Sequence, residues 1–203
     1  MLKNNINIGF IGTGIIGLPM AKNLISEGFN VYSYVRDTKK HSSLKKTKLK
    51  VCKDIEEFYS SIDILILAVS DTPDVKKILI GKKGLIFHKK KPSIVIDMST
   101  ICPIETINIS NELSKKKIHF VDAPVSGGEI GAIKGDLSIM IGGKKNIVKK
   151  LMPIFKILGS KITHIGKIGS GQVAKACNQI IVAQTINAVS EAYIIANSFN
   201  VSK

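Results

Sequence analysis

The stretch Ile6-Asn7-Ile8-Gly9-Phe10-Ile11-Gly12-Thr13-Gly14-Ile15-Ile16-Gly17 sets an apolar, β-branched run directly before three glycines spaced G-x-G-x-x-G. The run reads as a buried strand over residues 6–11. The residues after the glycines read as a helix over 15–27, with Gly28 where a helix cap ends it. A lone glycine triplet is weak; one that ends a strand and opens a helix has a physical purpose. Gly12 permits the tight turn, Gly14 lets the backbone approach a pyrophosphate, and Gly17 allows close helix–strand packing. The helix N-terminus adds N–H donors and the positive end of a dipole. Gly12, Thr13, Gly14, Ile15, Ile16 and Gly17 are therefore the expected holders of a dinucleotide.

Outward from this unit, short apolar runs alternate with helix-like segments, as an α/β protein requires. Strands are expected over 30–35, 48–52, 63–69, 93–97, 119–122, 138–142 and 162–165. Helices are expected over 55–60, 72–80, 103–116 and 144–158. Residues 63–69 (DILILAV) are apolar almost throughout, the mark of a central parallel strand covered on both faces. Val69, at its end, is a further cofactor-binding candidate. No repeat or low-complexity linker interrupts the pattern. The expected fold is a Rossmann-type, doubly wound, mostly parallel sheet.

The last segment differs. From Ser170 to Asn200 there is no proline, and apolar residues recur at helical spacing through Val173, Cys177, Ile180, Ile181, Val189, Ala192, Ile195, Ala196 and Phe199. This predicts one helix of about 30 residues, beyond the usual globular length. It is apolar on more than one face and is expected to pack on both sides. The expected organisation is an NAD(P)-binding domain over 1–167, then the long helix over 168–203.

A hydrophobic content of 44% with 22% charged residues is globular, which excludes a disordered tail, a collagen-like repeat and a small disulfide scaffold. No apolar run is long enough to cross a bilayer. Met1-Leu2-Lys3-Asn4-Asn5 lead into no signal-peptide pattern. The three cysteines Cys52, Cys102 and Cys177 are odd in number and widely spaced, so a reducing, cytoplasmic setting and no metal site are expected. His41, His88, His119 and His164 lack a partner motif and are expected to be structural or surface residues.

The net charge of +15 raises the question of nucleic acid. Of the 30 basic residues only Arg36 is arginine, the type favoured for base-edge and bidentate phosphate recognition. Aromatics are few, and the lysines fall in short runs such as 45–46, 89–91 and 115–117. Solvated faces are the expected reading, with neither a specific nucleic-acid partner nor a membrane. At the end of the second strand, Tyr34-Val35-Arg36-Asp37 puts valine where an acidic residue would bind the ribose of NAD. Arg36 would accommodate the extra phosphate of NADP. Asp37 could still reach a ribose, or cap the next turn. NAD or NADP is expected, with a slight lean to NADP.

Four stretches together resemble the β-hydroxyacid dehydrogenase family, and the match runs along the whole chain. These are residues 9–24 (GFIGTGIIGLPMAKNL), 97–100 (DMST), 122–128 (DAPVSGG) and 169–178 (GSGQVAKACN). Residues 127–132, 137–140 and 178–183, with 103–106 and 190–192, are similar to the branch that reduces tartronate semialdehyde (2-hydroxy-3-oxopropionate) to glycerate. The 3-hydroxyisobutyrate branch more often has a second asparagine where Gln179 stands.

The resemblance implies reversible hydride transfer between a nicotinamide and the carbonyl carbon of a short 3-oxo acid. It makes Lys175 the proton donor, and a partly desolvated ammonium suits that task. Asn178, three residues on and so on the same helical face, would orient Lys175 or bind substrate. Ser126, Gly127 and Gly128 form a small-residue loop whose hydroxyl and N–H groups would hold the substrate carboxylate. Thr100 would touch nicotinamide or substrate, or merely cap the following helix. Departures are Ile16 for the usual methionine, Ser70 for proline, and Val35 for the acidic ribose ligand.

Family members continue from the long helix into an all-helical C-terminal domain that completes the cleft and much of a dimer interface. That domain is expected to be missing here, and the bare helix to favour self-association into a homo-oligomer. The alternatives are another β-hydroxy acid as substrate, 3-hydroxyisobutyrate included, a cofactor-binding fragment without turnover, and, on charge alone, a nucleic-acid binder.

Overall fold

A computed structural model describes residues 6–35, 44 and 47–201. Arg36, Asp37 and His41 lie outside the described residues. The elements in chain order are β1 (Asn7–Ile11), α1 (Gly17–Ser26), β2 (Asn30–Tyr34), β3 (Lys50–Cys52), α2 (Ile55–Ser60), β4 (Ile64–Leu67) and α3 (Thr72–Leu79). After a single 3-10 turn at Leu85–Phe87 come β5 (Ile94–Asp97), α4 (Pro103–Lys115), β6 (His119–Asp122), β7 (Val125–Ser126), α5 (Gly128–Lys134) and β8 (Leu137–Gly142). The chain then runs through α6 (Lys145–Leu158), β9 (Gly159–Gly166) and α7 (Ser170–Ser198).

The sheet order is β3-β2-β1-β4-β5-β6-β8-β7, with β9 on β8. The first six strands in that order are parallel, β8 runs antiparallel to β6 and β7, and β9 runs parallel to β8. This is the doubly wound, mostly parallel Rossmann-type sheet that the sequence predicts.

Strand β4 shows why its run is apolar throughout. Successive side chains point to opposite faces. Ile64 and Ile66 join a core with Ile8, Phe10, Met20 and Leu24 on one side, which α1 and α6 cover. Leu65 and Leu67 join a second core with Phe58, Val75, Leu79 and Ile109, under α2, α3 and α4. Every position of β4 is buried because both faces of the sheet are roofed.

Several spans depart from expectation. Helix α1 begins at Gly17 rather than at residue 15, because residues 14–16 form a turn in which the Leu18 N–H donates to the Gly14 carbonyl at 3.0 Å. The last strand is longer than residues 162–165. Residues 126–128, expected as a loop, are instead a strand–helix junction: Ser126 ends β7, Gly127 with φ +133° caps α5, and Gly128 begins it. Glycines at 127, 128, 131 and 135 hide a helix of this length from periodicity.

Helix α7 matches its predicted span, but not its predicted packing. Gly171, Gln172 and Lys175 are buried. Beyond them Ile180, Ile181, Ile186, Ile194, Ile195 and Phe199 are all more than 60% exposed. No described residue lies over them, so the two-sided packing expected from their apolar character is not found within this chain.

Candidate active site

The C-terminal ends of β1, β2, β4 and β5, together with β7, open into one cleft of about 1500 Å³. At one end it is bounded by Tyr34 and Val35 after β2, in the middle by the glycine turn, and at the other by Thr100, Ser126 and Lys175. Of the predicted site residues, Gly12, Thr13, Gly14, Ile15, Ile16, Gly17, Val69, Thr100, Ser126, Gly127, Gly128 and Lys175 all line it. Asn178 does not. Its amide nitrogen donates to Gln179 Oε1 at 3.2 Å, and it is Gln179, one turn beyond Lys175, that reaches the cleft. Spacing from Lys175 puts both i+3 and i+4 on its face, so the sequence alone does not choose between Asn178 and Gln179. Tyr34, Ser70, Met98 and Ser99 also line the cleft, within or beside stretches the sequence marks, and so do Tyr59 and Lys77, to which no motif points.

The three glycines fit a dinucleotide for three different reasons. A Cβ at Gly12 would collide with the Ala68 carbonyl, and Gly12 itself has φ +99°. A Cβ at Gly17 would collide with the Gly12 carbonyl and crowd Phe10, so the helix could not lie against the strand. A Cβ at Gly14 would meet no protein atom within 4 Å. That open space belongs to the cleft, beside the turn through which the chain enters α1. The geometry is that of an anion cradle at a helix N-terminus.

The opposite end is built by hydrogen bonds between distant segments. Strands β6 and β7 pair with β8 in one continuous register (Asp122↔Gly142, Val125↔Ile139, Ser126↔Ser138), bridged by the Met140 N–H donating to the Pro124 carbonyl at 3.1 Å. This holds Ser126 and Gly127 at the cleft. Asp122 is fully buried; its Oδ1 accepts from the Gly169 N–H at 2.7 Å and its Oδ2 from the Gln172 N–H at 3.0 Å. Burial pushes its carboxyl above the ordinary range, and these main-chain donors oppose that shift. Asp122 thereby caps α7 and seats Lys175.

Residues 97–101 form the adjoining wall. Ser99 N–H donates to Asp97 Oδ1 at 3.0 Å, and Ser99 Oγ accepts from the Val69 N–H at 3.0 Å. Asp97 is fully buried, its Oδ2 has no hydrogen-bond partner, and burial raises its pKa from the ordinary 3.8 to about 7, with the Asp122 charge adding to the shift. Lys175 is 7% exposed, and no described carboxylate pairs with it. Desolvation holds its ammonium below the ordinary lysine range, the direction a proton donor requires.

The described histidines do not line this cleft. His88 Nδ1 lies 2.9 Å from Glu56 Oε1 and its ring packs on Tyr59, while His164 bonds the Gly143 and Gly166 carbonyls. The three cysteines are free. Among the described residues no group of three or more histidines, cysteines, aspartates or glutamates is placed to hold a metal, and no helix is long and apolar enough to cross a membrane.

Comparison with known proteins agrees with this architecture. Residues 7–166 match the NAD binding domain of 6-phosphogluconate dehydrogenase. The chain is 40% identical over 196 residues to the 2-hydroxy-3-oxopropionate reductase of Escherichia coli (strain K12), covering 95% of this chain and 65% of that protein. It is 30% identical to the 2-(hydroxymethyl)glutarate dehydrogenase of Eubacterium barkeri, covering 96% of this chain and 64% of that one. Among solved structures, the Mycobacterium tuberculosis 3-hydroxyisobutyrate dehydrogenase with L-serine superposes with a TM-score of 0.88 at 28% identity, over 98% of this chain and 67% of the other. The chain thus spans about two thirds of the length of these relatives.

Proposed function

The chain belongs to the β-hydroxyacid dehydrogenase family, through a dinucleotide-binding domain of the 6-phosphogluconate dehydrogenase type, and on that premise we propose that it reduces a short 3-oxo acid at the expense of NAD(P)H. The substrate proposed is tartronate semialdehyde, with glycerate as product. One observation carries the reading: a buried lysine that no described carboxylate pairs with, its ammonium held below the ordinary lysine range, shares one cleft with the glycine cradle.

The reduced nicotinamide, when bound, supplies the hydride. The chain's own residues do the rest. The N–H groups of the 12–17 turn hold the pyrophosphate, and Thr100 borders the reacting end. Ser126, Gly127 and Gly128 offer a hydroxyl and main-chain donors to the substrate carboxylate. Lys175 Nζ gives its proton to the carbonyl oxygen as that oxygen gains charge, then regains one from solvent. Gln179, steadied by Asn178, offers an amide to the substrate beside Lys175. Arg36 beside Val35 favours NADP over NAD. The working units are the dinucleotide-binding domain over 1–167 and the helix over 168–203, and the free thiols suit the cytoplasm.

The names of the relatives differ in substrate, so other β-hydroxy acids, 3-hydroxyisobutyrate among them, form the second reading. The test is oxidation of NADPH and of NADH by the purified chain with tartronate semialdehyde, against 3-hydroxyisobutyrate oxidation in the reverse direction. Turnover that Lys175→Ala abolishes while dinucleotide affinity persists supports the proposal. Dinucleotide binding without any turnover makes this chain a cofactor-binding unit.

A further inference from the structure

Gln172 lies one helical turn before Lys175, is 1% exposed, and directs its side chain away from helix α7 into the loop after β5. Its Nε2 donates to the Ser99 carbonyl at 2.8 Å, and its Oε1 accepts from the Ile101 N–H at 3.1 Å. The amide therefore spans the two peptide groups that flank Thr100, much as a neighbouring strand would. From residue 95 to residue 101 only Thr100 is exposed, and it faces the cleft. Ser99 and Ile101 are held inward, so Thr100 has nowhere to go but out. The same loop is tied on its other side to Val69 through Ser99 Oγ.

We propose that Gln172 is a positioning residue that fixes the Thr100 loop to the helical turn carrying Lys175, and so holds the nicotinamide side and the proton-donor side of the cleft in one geometry. The inference rests on the dinucleotide reading of the cleft. Its physical basis is that both partners are main-chain groups of a short loop; without the amide, two buried peptide groups lose their partners and the loop can relax away from α7. The adenosine end, at Tyr34 and Val35, is far along the cleft and is not touched by this clamp.

Gln172→Met keeps the length of the side chain and removes both bonds. Affinities of the full chain for NADH, NADPH and ADP-ribose, which lacks the nicotinamide, are read by fluorescence or calorimetry. The expected result is a loss of roughly tenfold for NADH and NADPH, two hydrogen bonds' worth, with ADP-ribose within about twofold. An equal loss for all three ligands reduces Gln172 to a support of the fold and overturns the proposal, as does no loss at all. A wild-type chain that binds none of the three refutes the dinucleotide reading itself, and this inference with it. Should Gln172→Met not fold, amide hydrogen exchange in the unmodified chain decides. NADH, and not ADP-ribose, is expected to slow exchange at Ile101; identical protection by both ligands overturns the proposal.

Discussion

Asp122 and Gln172, 50 residues apart in sequence, meet where the Gln172 N–H donates to Asp122 Oδ2 at 3.0 Å. With the Gly169 N–H on its other oxygen, Asp122 does for α7 what an N-cap residue does locally, from the end of a β-strand. The capping position itself is Gly169, whose φ of +86° favours glycine, a residue with no side chain to contribute. Gly142 and Gly171 leave room for the carboxylate, since a Cβ at either would press on it.

Asp122→Ala leaves buried N–H groups of α7 without acceptors, and a cost of about 1–3 kcal/mol in folding stability is expected. Urea unfolding measures it. Gly142→Ala is expected to act in the same direction, because its Cβ would enter the space that Asp122 Oδ1 occupies.

The glycine turn separates fold from binding. Gly14→Ala adds a methyl group where no protein atom lies within 4 Å, so stability is expected to stay within about 0.5 kcal/mol. The methyl group enters the cleft, and dinucleotide affinity is expected to fall. Gly17→Ala, which drives a Cβ into the Gly12 carbonyl, is expected to lose both stability and affinity. Thermal unfolding and ligand titration on the two variants check the contrast.

Asp97 makes stability pH-dependent with a definite sign. Its carboxyl goes from the ordinary 3.8 in the unfolded chain to about 7 in the folded one. Between these values the folded chain holds a proton that the unfolded chain has released. Stability from this group is therefore fully present below about pH 4, falls as pH rises towards 7, and is flat above that, with a slope of at most about 1.4 kcal/mol per unit. Asp97→Asn keeps an acceptor for the Ser99 N–H and is expected to flatten the profile between pH 5 and 7 in urea titrations.

Lys175→Arg keeps the positive charge but cannot release a proton near neutral pH. Turnover is expected to fall by roughly 10²-fold or more, with dinucleotide affinity little changed. Lys175→Arg activity close to that of the unmodified chain would show that charge alone, rather than proton donation, is the role of this side chain.

The bare length of α7 is expected to drive association between copies of the chain. Sedimentation at increasing concentration should show a shift to a larger species. Ile181→Glu with Ile195→Glu, both on exposed positions, should abolish the shift without altering the unfolding temperature.

The strand–glycine–helix unit, the buried run of β4 and the span of α7 were all legible in the amino-acid sequence, because local periodicity and glycine placement are properties of neighbouring residues. Lys175, marked out by the residues around it that resemble a known family, lines the cleft. Other features became visible only in the folded chain. Nothing near Asp122 in sequence says that it caps a helix beginning at residue 170, and nothing near Gln172 says that its amide clamps residues 99–101. Asn178 and Gln179 are adjacent, and only the rotation of α7 against β8 decides which of them reaches the cleft. Sequence determines which segments are strand, turn and helix, since that depends on groups a few residues apart. The pairing of buried polar groups depends on which segments the sheet order brings together, and that is settled only when the whole chain closes around its two cores.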